Sequence, residues 1–233
     1  MRRRRIELAL AVLLLLPGGA QAAQAPPMTE LEESLGRRKV APVIPAEFGP
    51  MVREATRDRL VVRSLAGADI VIDIREMEPE RFVRFADGRY FGFSFIGYEF
   101  FGFLLIDRAL AGEEAVLATG RAPVFASDGR HFAAVQLSGA SFGNLEGLSI
   151  WEVRSDRSVQ IFLSDVLPNG EDWRIDGWPR NDCVSVSWRE RRPGSAEPSP
   201  DRLHFGVEIG ERIAISVSHE IPGCNVTDAT GDD

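Results

Sequence analysis

The chain has 233 residues, a formal net charge of −8, 44% hydrophobic residues and two cysteines. That apolar fraction belongs to a globular chain of about one ordinary domain, and it excludes disordered, collagenous and disulfide-framework classes. The acidic excess argues against a nucleic-acid partner, whose footprint is basic.

Residues 1–22 read as an address. Met1 is followed by four arginines, an apolar run over 6–16 broken only by Glu7, then Pro17-Gly18-Gly19 and Ala20-Gln21-Ala22. Those parts in that order form a secretory signal peptide. The apolar core of about ten residues is short of the roughly 20 that a membrane span needs. The expectation is a bacterial protein, periplasmic or secreted, cleaved near Ala22 and without a membrane span. Cleavage removes four arginines and one glutamate and takes the net charge from −8 to −11, which repels anionic surfaces. In an oxidising compartment Cys183 and Cys224 are expected to form a structural disulfide. It would close a loop of roughly 40 residues, be worth about 3–4 kcal/mol, and pin the acidic tail, 222–233.

Residues 23–57 read as an N-terminal arm. Ala25-Pro26-Pro27 is a linker, Thr29 and Glu32 stand at capping-box spacing and open a short helix ending near Gly36, and Pro42, Pro45 and Pro50 keep the rest of the arm irregular. From Arg59 the apolar period becomes two. Short β-branched or aromatic runs lie at 60–62, 70–74, 81–85, 90–96, 101–106, 115–118, 124–126, 132–137, 148–153, 159–163, 184–188, 203–209 and 212–217. Runs so spaced, with turns and no helical pattern between them, predict an all-β fold as a single domain over 58–221.

A repeat underlies the series. Phe85-Ala86-Asp87-Gly88-Arg89-Tyr90-Phe91 returns as Phe125-Ala126-Ser127-Asp128-Gly129-Arg130-His131-Phe132, with the Asp-Gly pairs 41 residues apart. Each pair sits between apolar runs, the setting of a hairpin turn in which glycine supplies the positive φ. The strand at 103–108 corresponds to 149–154, and 115–117 to 159–162. A weaker third copy runs from Asp176-Gly177 to 213–215. The units cover about 80–118, 121–165 and 172–218, four strands each, the size of a propeller blade.

The segment Val124-Phe125-Ala126-Ser127-Asp128-Gly129-Arg130-His131-Phe132-Ala133 resembles the F-S-P-D-G-[KR]-x-[LIF]-A turn of TolB-like and WD40-like propeller repeats. Ile150-Trp151-Glu152-Val153 is similar to their third strand, where an apolar residue precedes an acidic one. The resemblance runs over 81–217, with Ala126 and Ser127 standing where those repeats carry Ser-Pro. It implies four-stranded antiparallel blades in an open arc or partial propeller, or a ring completed by another copy of the chain. A β-sandwich of hairpins is the alternative.

The sequence holds little chemistry. His131, His204 and His219 lack metal-ligand spacing, and no phosphate- or dinucleotide-cradling motif occurs, so no metal and no cofactor is expected. Gly139-Ala140-Ser141-Phe142-Gly143 matches G-x-S-x-G formally but lacks the strand-then-helix setting, and no catalytic residue is assigned. Two binding candidates remain. One is the glycine-rich connection 139–147, lengthened against its own template and carrying Phe142, Asn144 and Glu146; such an insertion suits a contact surface. The other is the cluster Asp165, Glu171, Asp172, Trp173, Asp176 and Trp178. Paired carboxylates beside an exposed indole suit glycoside hydrolysis or a sugar or Ca²⁺ site, whereas a turn at Asn169-Gly170 suits an ordinary loop. The aromatic run 90–103 puts Phe91, Phe93 and Phe95 on one face, as core or as a partner-facing edge. The function expected is a non-catalytic exported β-repeat protein that binds a protein or an envelope component. A carbohydrate-active hydrolase using the 165–178 cluster is the alternative.

Overall fold

The computed structural model describes residues 40–138, 142–190, 199–210 and 213–218, the last by backbone alone. The expected signal peptide and arm helix, His219 and Cys224 lie outside them. The described residues form four antiparallel sheets, each a meander of strands in chain order. The first holds β1 (Val52–Ala55), β2 (Arg59–Arg63) and β3 (Asp69–Asp73). The second holds β4 (Met77–Phe85), β5 (Tyr90–Gly97), β6 (Phe101–Asp107) and β7 (Val116–Ala118), and the third β8 (Val124–Phe125), β9 (His131–Gln136), β10 (Gly147–Val153) and β11 (Ser158–Ser164). The fourth holds β12 (Gly170–Arg180), β13 (Cys183–Glu190), β14 (Arg202–Ile209) and β15 (Ile213–Ser218). The fold is all-β, in antiparallel units of three or four strands compatible with open propeller-like blades. No helix among the described residues is long and apolar enough to cross a membrane.

The second, third and fourth sheets span residues 77–118, 124–164 and 170–218, beside expected units of about 80–118, 121–165 and 172–218, and a three-stranded sheet precedes them. Its β1 falls within the stretch assigned to the arm. Phe48 and Met51, just before it, are buried in the core, so the proline-spaced segment is anchored by its few apolar side chains.

Strand alternation explains the stacking. Successive side chains of a strand point to opposite faces. In β5, Phe91, Phe93 and Phe95 face Leu60, Val62, Ile70 and Ile72 of the first sheet. Tyr90 faces the other way and joins Phe103 and Leu105 of β6 with Phe132, Ala134 and Trp151 of the third sheet. Ala133, Val135, Leu148 and Ile150 then meet Val184, Val186, Trp188, Phe205 and Val207 of the fourth. The second and third sheets are therefore apolar on both faces, and each buried aromatic or branched side chain contributes about 1.5–3 kcal/mol. Among the described residues, no core cluster joins the first sheet to the fourth.

The Asp-Gly corners occupy equivalent places: Asp87-Gly88 links β4 to β5, and Asp128-Gly129 links β8 to β9. Both glycines have positive φ, +89° and +68°. The third copy departs. Asp176-Gly177 lies inside the long, bulged strand β12, and the corner there is Asn181-Asp182. The Asn181 side-chain oxygen accepts from the Ser127 hydroxyl at 2.8 Å and from the Asp128 N–H at 3.3 Å, tying neighbouring corners together.

Candidate functional site

The lengthened β9–β10 connection reaches across to the second sheet. The Phe101 N–H donates to the Phe142 carbonyl at 2.9 Å, and the Asn144 N–H donates to the Phe101 carbonyl at 3.1 Å. The Asn144 side chain copies a backbone unit: its Nδ2 donates to the Phe103 carbonyl at 2.9 Å and its Oδ1 accepts from the Phe103 N–H at 3.4 Å. The loop thus continues the sheet beside the start of β6, where β7, paired only with Leu104, Leu105 and Ile106, does not reach. Glu146 turns inward and accepts from the Ser138 N–H at 3.1 Å, the Ser138 hydroxyl and the Gly143 N–H. Of the three residues singled out here, Asn144 and Glu146 shape the loop, and Phe142 alone is presented, 44% exposed.

Beside this loop, between the second and third sheets, lies a cavity of about 630 Å³. A β-bulge builds one wall. Pro79 pairs with Phe95 and Phe82 with Phe93, so Glu80 and Arg81 together oppose the single residue Ser94. A bulge leaves its extra residue outside the ladder and bends the strand, and all three of these residues line the cavity. Val83 and Phe103 give apolar walls, Arg121 and Gln136 reach it from the third sheet's side, and Ile96 and Phe101 lie at its border with the loop. Sequence reasoning missed this site, because the bulge shifts a register that no spacing reveals.

The 165–178 cluster is a lattice of ion pairs. Arg202 donates to the Asp172 carboxylate at 2.5 Å, and Arg189 lies 3.7 Å away. The Arg202 hydrogen bond holds the Asp172 carboxyl below its ordinary range. Asp176 accepts from the Ser187 hydroxyl at 2.8 Å and from Arg174 at 3.0 Å, and its other oxygen lies 3.1 Å from His204 Nδ1. The indole of Trp173 is 2% exposed and stacks on Trp188 at 4.9 Å. The Trp178 N–H donates to the Val124 carbonyl while its ring stacks on His131. Asp165 is exposed on the β11–β12 connection, and Glu171 is paired in register with Arg189. The structure therefore brings Asp172 and Asp176 together on one sheet with arginine and histidine partners, with the Trp173 indole buried and that of Trp178 half-buried against His131. The Asp176–His204 pair, 28 residues apart, depends on the β12–β13–β14 register and had no signal in the sequence.

One further polar group sits between sheets. Asp107, fully buried, accepts two hydrogen bonds from the Arg89 guanidinium at 2.9 Å each, one from the Ser158 hydroxyl at 2.8 Å and one from the Ala109 N–H at 3.1 Å. The Tyr90 hydroxyl completes the network on Ser158 at 2.8 Å, and burial pushes the Tyr90 phenol up to about 12. The network joins the second sheet to the fourth strand of the third and is a fastening, with its groups consumed by one another.

No family model matches the chain, and no curated protein matches it. Among solved structures it is similar to a Bacteroides fragilis protein described as a candidate 6-phosphogluconolactonase. Identity is 12%, the alignment covers 70% of this chain and 51% of that one, and the TM-score is 0.37. The chain thus spans about half the length of that structure.

Proposed function

We propose that the chain is a non-catalytic, exported binding module of the TolB-like or WD40-like propeller-repeat kind, which holds a protein or envelope component on an apolar rim. The observation that carries this reading is a contiguous set of exposed large side chains at one end of the second sheet. Ile96, Tyr98, Phe101 and Phe142 are 52%, 69%, 41% and 44% exposed. Ile96 and Phe101 are cross-strand partners, Tyr98 lies in the hairpin between them, and Phe142 is fastened to Phe101 through the backbone. Solvated apolar groups on a rigid sheet end, rimmed by polar residues, mark contact surfaces. Export is supported by the layout of residues 1–22, and a Cys183–Cys224 disulfide belongs to the same reading; Cys183 is fully buried at the start of β13.

Crosslinking in the native envelope followed by mass spectrometry would identify the partner. The double variant Tyr98→Ala, Phe142→Ala should lower its recovery about tenfold or more, since central aromatics dominate contact energies, with the denaturation midpoint within the range of surface substitutions. Recovery equal to that of the unaltered protein would refute the rim.

A further inference from the structure

We infer that the cavity between the second and third sheets binds an amphipathic organic anion, an apolar body carrying one carboxylate. This goes beyond the rim reading, since only Ile96 and Phe101 belong to both. A cavity of about 630 Å³ falls in the size range of small-molecule sites, roughly 300–1,000 Å³, which pair apolar walls with a few placed polar groups.

The polar groups here are mostly donors. Gln136 is 3% exposed and its Oε1 accepts from the Leu145 N–H at 3.3 Å. Because that N–H demands an acceptor, the amide orientation is settled, and the Gln136 NH₂ has no partner among the described residues. The Ser94 hydroxyl is likewise without one. Arg81, placed by the bulge, makes no ion pair among the described residues, in contrast to most arginines of this fold. Arg121 uses one N–H on the Trp173 carbonyl at 2.8 Å, and the rest of its fork has no partner among the described residues. Two guanidinia, an amide and a hydroxyl thus border a space whose only carboxylate among the described residues is Glu80. An occupant must bring acceptor lone pairs, and a carboxylate brings them with the complementary charge. Glu80 disfavours a second anionic group, and the walls of Val83 and Phe103 require that the remainder be apolar.

That chemistry is shared by a free carboxylic acid and by the C-terminus of a peptide ending in an apolar residue. Calorimetric titration of the full chain separates them, with decanoate, decanol, and a pentapeptide ending in phenylalanine as free acid and as amide. Saturable decanoate binding is expected, with decanol at least tenfold weaker for want of charge-assisted hydrogen bonds. Arg81→Ala should weaken decanoate about tenfold and leave decanol unchanged; Arg84→Ala, exposed on the same strand and outside the cavity, should change neither. Tighter binding of the free-acid peptide than of decanoate assigns the source to a peptide terminus, the reverse to a free acid. Equal affinity for decanol and decanoate, no saturable binding of any probe, or indifference to Arg81→Ala overturns the inference. Loss here with partner recovery on the rim intact leaves the rim reading standing, and the converse leaves this one.

Discussion

A carboxylate that meets no water must be held by its neighbours, and Asp107 is held by four hydrogen bonds from three residues. Replacing it with asparagine removes the charge that Arg89 was folded around. Breaking one side of a buried pair leaves the other uncompensated, at a cost of about 3–5 kcal/mol. Arg89 retains 17% exposure of its side chain, so the lower end applies. Asp107→Asn should lower the stability measured by urea denaturation by about 3 kcal/mol, and Ser158→Ala by about 1 kcal/mol. Equal midpoints for Asp107→Asn and the unaltered chain would mean that Arg89 finds water instead. In the sequence Asp107 is only the polar end of a strand. Nothing in the run from Phe103 onward separates it from the many exposed aspartates, because its burial depends on Ser158 arriving from the next sheet.

At the scale of elements, the alternation of apolar and polar residues was enough to name most strands, since a half-buried strand repeats every second residue. The Asp-Gly corners were legible for the same reason: few residues other than glycine tolerate the positive φ of those turns. Asp176-Gly177 shows where that signal stops, for Gly177 serves a bulge within β12 at φ +150°. Bulges and docked loops are tertiary products. Gly102 illustrates the contact that seats the loop, since a Cβ there would stand 2.1 Å from Asn144 Oδ1. Gly102→Ala should lift the loop from β6 and destabilise the fold by about 1–3 kcal/mol, the usual cost of overpacking. Hydrogen exchange would report it as faster loss of the Phe101 and Asn144 amide protons, with the amides of β13 unaffected. Unchanged protection at Asn144 would show that the loop is held elsewhere.

For the molecule as a whole, β5, β6, β9 and β10 each supply residues to two core clusters, so the sheets share their stabilisation with their neighbours. The fourth sheet is the exception: its described apolar side chains face the third sheet only. A covalent tie would matter most there, and the proposed Cys183–Cys224 bridge starts from its second strand. The intact mass of the exported protein should be short of two hydrogens per chain, and reduction should lower stability by about 3–4 kcal/mol, the loop-closure entropy of roughly 40 residues. A full complement of thiol hydrogens in the exported protein would show that the bridge does not form.

Class of fold, strand succession and the corners at Asp87-Gly88 and Asp128-Gly129 are set by local order along the chain, because alternation and turn chemistry act over a few residues. The cavity, the Asp107 fastening and the Asp176–His204 pair were decided by register and by the stacking of one sheet on the next. These bring together residues 18 to 68 positions apart, and no local pattern encodes which face or which partner each will meet.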